Sequence, residues 1–183
     1  HTQLHNPFWL WATCSSMMFR RSVLELSMPD CHLDELRICA DNYFVHFCNL
    51  IGGSLLIPSI HGCYRRHGQN GFGKNAIIGG HLPVGDMSEH PDHETVRKMV
   101  VERLFKIATE LKRLVGESGF MNLLMRTILV RELPELKKCY PNVLTKPLSY
   151  YRREFIRFRC MYRYWGWRDK VRGLIKSRGT AIV

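Results

Sequence analysis

Apolar side chains recur at helical spacing in the first half of the chain. Asp41 is followed by Phe44, Phe47, Cys48 and Ile51, which lie three or four positions apart. Acids are favoured at helix N-termini and glycines at helix ends. This pattern predicts a helix that starts near Asp41 and stops at Gly52-Gly53.

Three more helices are predicted after residue 91. The first begins at Asp92 or Thr95 and ends at Gly116, and its apolar face is Val96, Met99, Val100, Leu104, Ile107, Leu111 and Leu114. The second covers 120–133 and is stopped by Pro134. A basic helix follows from Pro147.

Three shorter apolar runs are interpreted as strands, and one polar segment as a loop. The run 12–21 reads ATCSSMMFRR and is expected to be a short buried strand that leads into a helix. The runs 54–57 and 60–66 flank Pro58. Residues 71–91 are rich in Gly, Pro, Asn and His, so they predict a long loop, and such loops are often functional.

Composition allows a sizeable core and indicates a polyanionic partner. Of 183 residues, 45% are hydrophobic, and no apolar run reaches the roughly 18 residues that a spanning helix needs. The net charge is +11, and residues 147–178 alone carry ten basic and two acidic side chains. A basic surface attracts nucleic acid, anionic lipid or phosphate-bearing substrates without choosing among them.

The cysteines and the start of the chain indicate a reducing compartment. The seven cysteines form no CxxC pair and no zinc-finger spacing, which is typical of free thiols that mostly pack in a core. No signal peptide is visible, so we expect a cytoplasmic location. Because the first residue is His, we expect a piece of a longer protein.

The segment 37–70 carries the functional signal. It contains Ala40-Asp41, Gly52-Gly53 and then a Tyr-Arg-x-His motif, and the motif residues are Tyr64, Arg65, His67, Gly68 and Asn70. In this order and spacing, the segment resembles the C-terminal half of the catalytic domain of family 2 glycosyltransferases. The upstream residues 15–21 are similar to the family's segment that leads into the acceptor site.

The resemblance implies a fold class and a domain organisation. The expected fold is α/β: the C-terminal half of a GT-A (Rossmann-like) domain, followed by a mostly helical extension. The expected parts are the acceptor-side domain at 1–90, a helical extension at 91–146 and a basic amphipathic tail at 147–183. The family's nucleotide-binding half, with its Asp-x-Asp motif, does not precede His1, so this piece alone is expected to be inactive.

The resemblance also implies roles for individual residues in an inverting transfer from a nucleotide-sugar donor to a saccharide or lipid-linked acceptor. Asp41 would be the general base that deprotonates the acceptor hydroxyl. Arg65 and His67 would face the leaving diphosphate, with His67 near a divalent cation, Mg or Mn, that is held mainly by the missing motif. The fallback bases are Asp34 and Glu35, and Asp41 could instead only cap a helix.

Residues upstream of the helix are candidates for acceptor binding. Trp11 could stack on an acceptor sugar, and Ser15 and Ser16 could donate hydrogen bonds to its hydroxyls. The other histidines, among them His81 and His93, lack the spacing of a metal site.

The basic tail has two interpretations. Its aromatic residues recur on one helical face at Tyr151, Phe155, Phe158, Tyr162 and Trp165. That face could pack on the domain, or it could lie on an anionic membrane at the inner face. Nucleic acid is a weaker alternative, because no recognisable binding motif accompanies the arginines. A non-catalytic basic binding module therefore stays open beside the enzyme.

Overall fold

The structure is a computed structural model that describes residues 17–28, 40–55 and 93–179. Within these ranges the chain forms six α-helices and one short 3₁₀ helix. Their bounds are α1 Arg21–Ser27, α2 Ala40–Gly52, α3 His93–Lys106, α4 Ala108–Thr127, the 3₁₀ helix Val130–Glu132, α5 Leu133–Cys139 and α6 Leu148–Gly179.

The predicted α/β fold is wrong for the part of the chain that can be tested. The described residues are 81% helical and contain no strand or sheet, which conflicts with a Rossmann-like GT-A half. Residues 17–20 lead directly into α1, and residues 53–55 follow α2 as irregular chain. Short apolar runs fit a strand and a buried segment equally well, so periodicity alone could not decide between them. The run 60–66 lies outside the described residues.

The chain divides into two compact units, His1–Thr127 and Ile128–Val183. In the first unit α2 packs against α1 and α3, and α3 packs against α4. The side chains at the centre of these contacts are fully buried, among them Tyr43, Phe47, Val96, Val100 and Leu104. The predicted apolar face is therefore core as far as Leu111, except for the half-buried Ile107, and Leu114 is 56% exposed.

Two glycines end or break helices in the first unit. Gly53 follows α2 with φ +73°, and its N–H donates to the carbonyl of Asn49 at 2.9 Å. Gly116 interrupts α4 with φ +73° and ψ 170°, a conformation almost restricted to glycine. The predicted stop at Gly52-Gly53 is confirmed. Gly116 breaks the helix as predicted, but the single helix predicted up to Gly116 is divided at Ile107 between α3 and α4.

In the second unit, α5 and α6 pack together around a turn that contains Pro141. The prediction that Pro134 stops a helix was wrong, because α4 already ends at Thr127 and Pro134 lies in the first turn of α5. Proline is tolerated there, since the N–H that it lacks would have no helical partner. Lys137 Nζ donates to the carbonyl of Lys146, and the Lys146 N–H donates to Tyr151 Oη at 3.2 Å. These bonds fix the start of α6.

Candidate functional site

Asp41 lies in the first turn of α2, as predicted. The helix begins at Ala40, and the carboxylate is half-buried and accepts a hydrogen bond from the N–H of Asn42 at 3.1 Å. The first N–H groups of a helix have no partner within it, and their dipoles stabilise negative charge at this end. The position suits a carboxylate whether it caps the helix or acts as a base.

The helix that carries Asp41 is anchored near both ends. Near its start, Tyr43 is fully buried and its hydroxyl donates to the carbonyl of Ser27 at 2.6 Å, which ties α2 to the end of α1. Near its end, Arg126 of α4 donates to the carbonyl of Leu50 at 3.3 Å. Arg103 of α3 also donates to the carbonyl of Leu26 at 2.8 Å. These contacts hold the backbone at Asp41 in place relative to α1, α3 and α4.

A buried guanidinium lies at the contact between α3 and α4. Arg97 is 1% exposed and forms a bidentate pair with Glu94, at 2.8 Å from Nε and 2.5 Å from Nη2. Its Nη1 donates to the carbonyl of Thr127 at 3.0 Å, at the end of α4 where helix carbonyls lack partners. This ion pair was not predicted from the sequence. The signal was available as an acid and an arginine three positions apart.

Two histidines meet between α2 and α3. The rings of His46 and His93 are 5.3 Å apart between centroids in an edge-to-face arrangement, and His46 is buried. No three His, Cys, Asp or Glu side chains come together as a metal site in the described ranges. The described residues therefore do not form a site for the divalent cation that the resemblance implies.

The cysteines in the described ranges have different environments. Cys48 is buried, and burial raises the pKa of its thiol from 9.0 to about 11, although a hydrogen bond with Ser27 opposes the shift. The thiol is therefore protonated at neutral pH. A buried, protonated thiol packs as a small apolar group and is a poor nucleophile. Cys139 and Cys160 are exposed, so the expectation of core packing does not hold for them.

The remaining predicted site residues lie outside the described part of the chain. They are Trp11, Ser15, Ser16, Asp34, Glu35, Arg65 and His67. Their roles and their positions relative to Asp41 therefore stay predictions.

The basic helix α6 separates its aromatic and charged side chains. Tyr151, Phe155 and Phe158 are buried, at 3%, 3% and 9% exposure. The arginines of the same stretch are exposed, namely Arg152, Arg153, Arg157, Arg159 and Arg163. Three of the five aromatic residues in the predicted stripe are thus covered, and the side chains of Tyr162 and Trp165 lie outside the description.

Comparison with known proteins found no matching protein family, no matching curated protein and no matching solved structure. In the part of the chain that is described, no helix is both long enough and apolar enough to cross a membrane.

Proposed function

We propose that the chain takes part in an inverting glycosyl transfer in which Asp41 accepts the proton of the acceptor hydroxyl. The observation that carries the proposal is the position of Asp41, half-buried at the start of a helix that is anchored near both ends. The resemblance of residues 37–70 to family 2 glycosyltransferases supplies the reaction class. The proposal depends on this local pattern and not on a GT-A fold.

The reaction requires a carboxylate that stays in one place and can reach the acceptor. As the acceptor oxygen attacks the anomeric carbon, its proton passes to the Asp41 carboxylate while the nucleoside diphosphate leaves. A positioned general base contributes roughly a hundredfold to ten-thousandfold in rate. Anchoring through Tyr43 and Arg126 keeps the carboxylate from moving with a frayed helix end.

The other proposed participants are a nucleotide-sugar donor and a saccharide or lipid-linked acceptor. Arg65 and His67 remain the proposed contacts of the diphosphate. Asp41 is the only proposed site residue that the structure describes, so the proposed steps are limited to its proton transfer.

The experiment compares Asp41→Asn with Glu110→Gln in the natural gene product. Both residues are acids in the first turn of a helix, Asp41 in α2 and Glu110 in α4, so the control removes the same kind of charge from an exposed position. Release of nucleoside diphosphate from a panel of nucleotide sugars measures turnover, and calorimetry measures donor binding.

Asp41→Asn should lower turnover about a hundredfold or more with donor affinity unchanged, whereas Glu110→Gln should leave turnover unchanged. Near-normal turnover of Asp41→Asn, or an equal loss in both variants, would contradict the role of Asp41. Failure of every nucleotide sugar to react would contradict the reaction class.

A further inference from the structure

The side of α6 that faces away from its buried aromatic residues carries a second apolar strip. Ile156, Cys160 and Tyr164 are spaced four positions apart, so they lie along one side of the helix. All three are exposed, and Ile156 and Tyr164 are 64% and 59% accessible. Tyr151, Phe155 and Phe158 lie on the other side and are buried.

Arginines surround this strip. Arg152, Arg159 and Arg163 flank it on one side, Arg157 lies on the other side, and Arg153 lies in line with it one turn before Ile156. All five are exposed, and the only acid between 148 and 164 is Glu154, which pairs with Arg157 at 3.1 Å. We call Ile156, Cys160, Tyr164 and the five arginines the outer face of α6.

We propose that the outer face of α6 binds the surface of an anionic lipid bilayer. Positive charge complements the phosphates and carboxylates of anionic head groups. Arginine side chains place their stems along apolar surface and their guanidinium groups in the head-group layer. An exposed isoleucine and a tyrosine between them can enter the boundary between head groups and acyl chains. This proposal is independent of the catalytic role of Asp41.

Lipid fits the outer face better than single-stranded nucleic acid does. Proteins that bind single strands stack successive bases on exposed aromatic rings. Among the side chains of α6 that the structure describes, Tyr151, Phe155 and Phe158 are covered, and Tyr164 shares the outer face with an aliphatic side chain, Ile156. The sequence suggested that the aromatic stripe would contact lipid. Because that stripe is buried from Tyr151 to Phe158, the candidate lipid contact is the opposite side of the helix.

The test measures binding of the whole 183-residue chain to vesicles. One preparation contains equal parts of phosphatidylserine and phosphatidylcholine, and another contains phosphatidylcholine alone. An oligouridylate strand is the third ligand. The test variant is Arg159→Glu/Arg163→Glu, and its matched control is Arg113→Glu/Arg131→Glu, which makes the same charge change at exposed arginines outside α6.

We expect the wild-type chain to prefer the anionic vesicles. The α6 variant should bind them at least about tenfold more weakly, and the control should lose much less affinity for them. Circular dichroism verifies that helix content is retained. If the reversed charges unfold the helix, Arg159→Gln/Arg163→Gln replaces that variant, with an expected loss of about fivefold.

A second pair of variants tests the apolar strip. Ile156→Ser/Tyr164→Ser should remove most of the binding that survives high salt, because that part comes from buried apolar area. Met18→Ser/Leu114→Ser, at positions 88% and 56% exposed outside α6, should leave it unchanged.

Three results would overturn the proposal. The first is an absence of preference for anionic vesicles, and the second is equal loss in the α6 variant and its control. The third is tighter binding of oligouridylate than of vesicles with the same dependence on Arg159 and Arg163, which would assign the outer face to nucleic acid.

Discussion

Glu94 and Arg97 differ in burial although they form one ion pair. Arg97 is 1% exposed and Glu94 is 46% exposed. If Arg97 is removed, the Glu94 carboxylate can be hydrated where it is. If Glu94 is removed, the guanidinium stays buried without this carboxylate, and such a charge is costly.

We therefore expect Glu94→Ala to destabilise the chain more than Arg97→Met does. The expected losses in the free energy of unfolding are about 3–5 kcal/mol for Glu94→Ala and about 1–3 kcal/mol for Arg97→Met. The double variant should be more stable than Glu94→Ala alone. Urea unfolding followed by circular dichroism measures all three. A greater loss for Arg97→Met than for Glu94→Ala would contradict the argument.

Asp41 shows what a single residue allows sequence analysis to predict. Its place in the first turn of a helix followed from an acid that precedes an apolar periodicity, because that preference is local. The contacts that anchor its helix come from Ser27 and Arg126, which are 14 and 85 positions from Asp41 in the sequence. Long-range contacts of this kind leave no local pattern, so they could not be predicted.

At the scale of elements, the helices with the longest periodic patterns were predicted correctly. The strand predictions for the short apolar runs were wrong where the structure describes them, at 17–21 and 54–55. The periods at 96–111 and 151–158 repeat over several turns. The first lies on α3 and the start of α4 and the second on α6, and the side chains of both are buried except for the half-buried Ile107. Helix α1 contributes only seven residues and no prediction identified it as a helix with these bounds. A run of four to eight apolar residues fits both kinds of structure. The α/β prediction came from the family resemblance, and these runs were interpreted as its strands.

The periodicity of the sequence predicted the aromatic face of α6, but it did not predict what this face packs against. The orientation can be tested with two adjacent side chains, Phe155 at 3% and Ile156 at 64% exposure. Phe155→Ala should lower the free energy of unfolding by about 3–5 kcal/mol, because it removes a buried ring and leaves a cavity. Ile156→Ala should change it by less than about 0.5 kcal/mol.

The measurement is urea unfolding of the whole chain, and the neighbouring position is the matched control. Equal effects at the two positions would mean that α6 is rotated from the orientation described here. The outer face of α6 would then no longer be the surface opposite the core.

At the scale of the whole molecule, the surplus of positive charge is the dominant electrostatic feature. The chain has 27 basic and 16 acidic side chains. Its exposed ion pairs, such as Arg21–Glu25 and Arg157–Glu154, lie between neighbours on one helix and each contributes about 0–1 kcal/mol at most. Salt weakens these pairs, but it also screens the repulsion among the surplus charges over longer distances.

Repulsion should prevail because it acts among all the surplus charges, whereas each pair acts alone. The screening length falls from about 30 Å at an ionic strength of about 0.01 M to about 8 Å at about 0.15 M. Over that range we expect the free energy of unfolding to rise, on the order of 1 kcal/mol, with a higher urea midpoint.

Arg113→Glu/Arg131→Glu is the control, because it lowers the net charge by four at exposed positions outside α6. This variant should be more stable than the wild-type chain at low salt. Its free energy of unfolding should rise less than that of the wild-type chain as salt is added. If the urea midpoint of the wild-type chain does not change or falls as salt is added, the local ion pairs outweigh the repulsion among the surplus charges. In that case the part of vesicle binding that salt removes would reflect α6 alone and not the field of the whole molecule.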